Sequence, residues 1–242
     1  MFFRKLHRWL GLAMAVQIVA WMASGLYFSL WPIEEIRGEH LTRAPDEVTT
    51  AQFASLPWPA ATVVGLDEHF RAPWTLESVG VVACKEAACW RIRGRSEGKV
   101  FSRLVDADGQ VLPALTESQA ATVARGWLRG EGRVAGIEWI ETVAPDGEFR
   151  GGRLPAWRVS FAEPESLSLY LDPWTGEILA RRTARWRVFD FFWMLHVMDF
   201  SERDDFSHPL LQVAAALGLA VALGGLILWA LTTPLFRRRK TT

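Results

Sequence analysis

Five histidines, two cysteines and three aspartates in turn-like settings are the side chains of this 242-residue chain whose types suit them to chemistry. An imidazole can carry a proton near neutral pH or give a nitrogen lone pair to a metal. His40 and His69 stand in polar stretches, beside Arg37-Gly38-Glu39 and Asp67-Glu68, and carry no signal. His7 sits among Arg4, Lys5 and Arg8 at the head of an apolar run. Anchoring that run at a membrane rim accounts for it as simply as ligation does, because ionisable groups tolerate rims far better than bilayer centres. Trp186, Phe189, Trp193, His196 or Val197, and Phe200 fall at spacings of three and four, so Arg185 to Phe200 reads as a helix with one aromatic face. Asp106, Asp108 and Asp172 read as turn residues, not as catalytic acids. No nucleophile-and-base set, glycine-rich phosphate loop or metal-ligand motif stands out.

The cysteines, Cys84 and Cys89, bracket four residues between two strand candidates. In an oxidising compartment they would face each other across a tight hairpin and pair as a disulfide. Their C-x4-C spacing is a poor match to zinc or thioredoxin-type motifs.

The elements that must position these groups begin at the chain's two ends. Leu10 to Trp31 and Leu210 to Leu231 are each 22 residues without a charge, and about 20 such residues suffice to cross a bilayer core. A cleaved signal peptide is the rival reading of the first segment. That segment exceeds the usual apolar core of a signal peptide, carries Trp21, Tyr27 and Phe28, and lacks an A-x-A site, so an uncleaved anchor is expected. The two ends hold seven basic residues and no acid, which leaves 20 basic against all 27 acidic residues between Pro32 and Asp205. Lys and Arg gather on the cytoplasmic side, so both termini are expected there and the acidic middle across the membrane. The pattern excludes a soluble cytosolic enzyme and a basic nucleic-acid binder; the lipid bilayer is the expected partner.

The middle repeats itself. Trp90-Arg91-Ile92 is answered 67 residues later by Trp157-Arg158-Val159, and an Asp-initiated, Gly-containing turn follows each, at Asp106 to Gly109 and at Asp172 to Gly176. Strands are expected at 76–83, 89–93, 100–105, 134–143, 156–161 and 166–171, paired by hairpins. Thr116-Glu117-Ser118-Gln119 is a capping box opening a helix whose face is Ala120, Val123, Ala124, Trp127 and Leu128, with Gly130 expected to close it. A weaker helix candidate, Thr49 to Leu56, is broken at Pro57 and Pro59.

Taken together, Leu6-His7-Arg8-Trp9-Leu10-Gly11-Leu12, Ser24-Gly25-Leu26, the twin Asp-to-Gly hairpins, Leu195-His196 and the close from Gly224-Gly225 to Leu228-Trp229 resemble the PepSY-associated transmembrane family over nearly the whole length. The resemblance implies a membrane α+β protein of the bacterial inner membrane: two transmembrane helices flanking a periplasmic region of two PepSY-like modules, each a helix on an antiparallel sheet. The expected map is a cytoplasmic N-terminus (1–9), a first transmembrane helix (10–31), modules at 32–113 and 114–184, an interfacial aromatic helix and loop (185–207), a second transmembrane helix (208–233) and a basic cytoplasmic tail (234–242).

Some larger relatives in that family are haem-containing reductases acting on iron-siderophores, which implies haem b as cofactor and His7, His196 and His208 as its contacts. Two readings of His196 then stand side by side: an axial ligand in an aromatic pocket, or the polar edge of an amphipathic helix bedded in lipid. The length of the first helix keeps His7 and His196 on opposite sides, so two ligands on one iron would need His196 with His208, or a second chain. Small residues at Gly11 and Ala15, and at Ala214, Gly218 and Ala222, offer faces for a homodimer or another membrane subunit. Gln17, the one strongly polar side chain deep in the first span, is expected to hydrogen-bond across helices. The leading expectation is haem-linked electron transfer, reaching to reduction of ferric chelates. The alternatives are a non-enzymatic periplasmic binding or regulatory module and an accessory subunit. With two spans where larger relatives have four or more, a complete single-chain electron path is not expected.

Overall fold

The computed structural model describes residues 2–57, 66, 72–84, 87–144 and 147–233. His69 and the basic tail from Arg237 to Lys240 lie outside the described residues. The chain divides into two compact units, Met1–Ile33 with Arg187–Thr242, and Glu34–Trp186.

The central unit holds two antiparallel meanders. The first is β1 (Trp74–Cys84), β2 (Ala87–Ser96) and β3 (Lys99–Val105), in that order. Alternation along β2 sends Trp90, Ile92 and Gly94 inward and Arg91, Arg93 and Arg95 outward, the period-two pattern of a sheet with one wet face. Glu77 on β1 meets both Arg93 (3.3 Å) and Arg95 (2.8 Å). Gly94 is required by proximity, since a Cβ there would stand 2.8 Å from Phe101 and 2.9 Å from Trp74. A short helix, α3 (Thr50–Ala54), opens with its own capping box, Thr49 with Gln52, and ends before Pro57.

The second meander is β4 (Val134–Ile140), β5 (Ala156–Phe161), β6 (Ser168–Leu171) and β7 (Ile178–Arg182). Helix α4 (Glu117–Trp127) starts at the expected Thr116–Gln119 box and packs Ala120 and Ala124 on Val159, Phe161, Leu169 and Leu171. Gly130 does not close it. Leu128 turns extended, buries its side chain in that core and bridges to Thr42, so the core ends the helix before the glycine is reached. Every residue of β6 is buried, with Phe149 stacked on Tyr170 (4.4 Å between ring centroids) in a separate small cluster with Ala156.

Both aspartate turns form as expected. Asp106 Oδ1 accepts from the N–H groups of Asp108 and Gln110, and Asp172 Oδ1 from those of Trp174 and Thr175. Gly109 and Gly176 supply the positive φ each turn needs. After the first turn the chain makes only one bridge, Val105 to Val111; after the second it makes a full strand, β7.

The membrane unit is built from α1 (Phe2–Leu30), the greater part of α5 (Ala184–Val197) and α6 (Pro209–Thr232). A short helix, α2 (Ile33–Ile36), follows α1. Helix α1 begins eight residues before the expected span, carrying Arg4, Lys5, His7 and Arg8 on its first turns. Apolar residues such as Val16 (82% exposed) and Leu219 (60%) lie open, as a lipid-facing surface requires and a soluble core helix does not. The two long helices run antiparallel: His7 lies at Gly224 and Gly225, Gly11 at Val221, and Met14 and Trp21 at Gly218. Gly11, Ala214 and Gly218, expected on faces for an outside partner, are thus used within the chain's own helix pair.

Helix α5 ends at Val197, three residues short of the expected Phe200, because Met198 takes a left-handed φ of 57°.

Candidate functional site

One stripe of α1 organises the membrane unit. His7, Gly11, Met14, Gln17, Trp21, Ser24 and Phe28 recur at spacings of three and four, which places them on a single helix face. The first half of the stripe meets α6, and the second half meets α5.

That second half does polar work. The last carbonyls of a helix have no partner within it, and those of α5 are captured one by one. Gln17 Nε2 donates to the Leu195 carbonyl (2.9 Å), Trp21 Nε1 to that of His196 (2.8 Å), and His208 Nε2 lies 2.9 Å from that of Val197. Gln17 therefore bonds across helices as its position in the span suggests.

His196 projects from this fastened end. Its Nδ1 lies 2.7 Å from the Oγ of Ser24, a fully buried hydroxyl. Phe28 (5.6 Å between centroids) and Trp193 (6.4 Å, near-parallel) pack near the ring and lie 6.1 Å from each other, and Phe189 packs on Phe28 at 4.8 Å. Nε2 has no hydrogen-bond partner among the described residues.

The aromatic spacing that suggested a lipid-bedded face marks instead a seam with α1. Phe189, Trp193 and His196 all pack toward Phe28, while Val188 and Phe191 on α5 and Phe200 beyond it remain exposed. Trp186 belongs to the central unit, under the guanidinium of Arg182 at 4.0 Å.

The loop after α5 is tied down by carboxylates. Asp190 pairs with Arg203, whose carbonyl accepts from Trp193 Nε1 (2.8 Å). Desolvation alone would raise the pKa of the Asp199 carboxyl, but hydrogen bonds from Ser201 (backbone and side chain), Asp205 and Asp204 hold it down to about 2.

The three expected haem contacts differ in what their ring nitrogens do. His208 caps α6 by accepting from the Leu211 N–H at Nδ1 (3.4 Å) and donates to Val197 through Nε2. With both nitrogens engaged, it offers no lone pair for the second axial bond expected of it. His7 lies over Gly224 and Gly225 with no hydrogen bond among the described residues, 17 residues or about 25 Å of helix from Ser24. The structure does not bring His7 to His196. His196, with one nitrogen anchored and the other bare beside an aromatic cluster, has one nitrogen donor that could hold a metal-bearing group. Among the described residues no three His, Cys, Asp or Glu side chains converge as a metal site.

In the central unit, His40 lies 3.6 Å from Glu165. Cys84 and Cys89 are joined as a disulfide at the tip of the β1–β2 hairpin, with their Cα atoms 5.8 Å apart. An open groove of about 280 Å³ lies beside β4, with Glu138, Glu148, Arg158 and Tyr170 in its lining. Ser24 and Trp21 were not singled out as site residues from the sequence; the three-and-four spacing from His7 to Phe28 was the available signal.

The family model of the PepSY-associated TM region matches residues 4–242. No curated protein matches the chain, and no solved structure does.

Proposed function

Because the chain belongs to the family of the PepSY-associated TM region, we propose that this membrane protein assists haem-linked electron transfer, with ferric chelates such as siderophores as the acceptor class. The observation that carries the reading is His196: Nδ1 anchored on Ser24, Nε2 bare, Phe28 and Trp193 packed close by. A bound haem b supplies a one-electron couple. The chain's part would be to hold and shield that group: His196 Nε2 would bind it, and Phe28, Phe189 and Trp193 would help keep water from it. Among the described residues one such nitrogen lies beside α5. The basic flanks support cytoplasmic termini and a periplasmic central unit in a bacterial inner membrane. A reporter fused after Thr242 should read cytoplasm, one near Glu97 periplasm, and a periplasmic C-terminus sinks that arrangement.

The deciding measurement is the visible spectrum of detergent-purified protein made with haem supplied. The native chain and His40→Ala should show a haem absorption band that His196→Ala loses. A colourless native chain overturns the reading in favour of a binding module. The groove beside β4, with charges of both signs, is the observation on that side.

A further inference from the structure

The hydroxyl of Ser24 has a single proton, and the structure accounts for it. Ser24 Oγ lies 3.0 Å from the carbonyl of Trp21, one turn earlier on α1. A carbonyl oxygen can only accept, so that bond takes the hydroxyl proton. Toward His196 the same oxygen is left with lone pairs alone, and the 2.7 Å contact with Nδ1 is a hydrogen bond only if the proton sits on Nδ1. In a neutral imidazole one nitrogen carries the proton and the other does not, so Nε2 is left bare. Three bonds keep this arrangement in register: Gln17 to the Leu195 carbonyl, Trp21 to the His196 carbonyl, and the back-bond of Ser24 itself.

We infer that Ser24 is a positioning residue: it fixes His196 in the tautomer protonated at Nδ1 and so presents the Nε2 lone pair to a ligand. In its consequence for haem the inference rests on the function proposed above; the tautomer itself does not. A hydrogen bond from the distal ring nitrogen of a ligating histidine fixes both ring orientation and tautomer, and losing such a partner typically lowers metal affinity by about 10- to 100-fold.

The test has two arms. In the first, protein labelled with 15N-histidine is purified without haem, and ring-nitrogen NMR shifts report which nitrogen is protonated, with the His196 signals assigned by their loss in His196→Ala. The native chain and Ser24→Thr, which keeps the hydroxyl, should show Nδ1 protonated and Nε2 bare. Ser24→Ala should move the population toward the Nε2-protonated form. A native His196 protonated at Nε2, or a Ser24→Ala spectrum identical to native, overturns the inference. Should Ser24→Ala fail to fold, the native and Ser24→Thr spectra still decide.

In the second arm haem is titrated into the same proteins. Ser24→Ala should bind about 10- to 100-fold more weakly, with Ser24→Thr near native. Equal binding by native and Ser24→Ala overturns the positioning role while leaving the haem reading intact. The expected tautomer in a chain that binds no haem does the reverse: it supports the assignment at Ser24 and overturns the haem reading.

Discussion

At one end of its stripe, α1 meets glycines, and at the other it meets open carbonyls. His7 lies against Gly224 and Gly225, where a Cβ would stand 3.3 Å from Nδ1 or 3.4 Å from Cε1 and where, among the described residues, no hydrogen bond holds the ring. Gln17, Trp21 and Ser24 are fastened to α5 by three hydrogen bonds within two turns. In lipid the hydrophobic effect does not drive helices together, so association depends on close fit and on polar groups that lack water. The chain uses the first means at its His7 end and the second at its His196 end. The two ends should therefore fail in opposite ways: the glycine end when atoms are added, the polar end when they are removed.

The largest expected effect is at the glycines. Gly224→Leu or Gly225→Leu should push the His7 ring off α6 and destabilise the helix pair by about 1–3 kcal/mol, the usual cost of overpacking. Adding His7→Ala should restore much of the loss by making room. Unfolding of the purified protein in mixed detergent measures both; a leucine variant as stable as native, or one that His7→Ala does not rescue, breaks the steric half of the comparison.

At the polar end, Gln17→Leu keeps the bulk and removes a donor, leaving the Leu195 carbonyl of α5 uncapped. The expected loss is about 0.6–2 kcal/mol, smaller than at the glycines. A gain in stability on this substitution would place Gln17 among residues kept for some other purpose than fastening.

The third effect lies beside His196, and acid removes it. Asp199 is held down to about 2 from a reference of 3.8, so its loop is stabilised at all pH values above about 4 and loses that support as pH falls through about 2. Asp199→Asn should be less stable than native above pH 4 and flat below it. Amide exchange across residues 199–206 reads the difference; parallel pH profiles for the two proteins count against the carboxylate as the loop's anchor.

Local signals made most of the fold legible. Charge-free runs marked α1 and α6, Thr116 with Gln119 marked the start of α4, and the strand at 156–161 follows from alternation between turn residues. The box at Thr49 and Gln52 was equally readable and fixes α3. Where the sequence misled, a distant partner had overridden a local preference: Leu128 left the helix for a core supplied by β5 and β6, and the aromatic face of α5 turned toward Phe28. His196 drew notice because its neighbours are aromatic. Ser24 and Trp21 did not, because the atoms they bind lie 172 and 175 residues away and nothing in their own neighbourhood announces a partner. His208 shows a related limit: an imidazole before a proline at a helix start gives no sign in sequence that it caps α6 and meets the Val197 carbonyl.

That separation along the chain also sets a schedule. Gln17 and the carbonyl it binds are 178 residues apart, with the whole central unit encoded between them. At synthesis rates of about 5–20 residues per second, the first helix waits roughly ten to forty seconds before its partner exists. Throughout that interval its amide and indole groups are in the bilayer without the acceptors the finished protein gives them, and the Ser24 oxygen is without its donor. The insertion of α1 and the completion of its polar face are therefore separate events, and the arrival of α5 is the second of them.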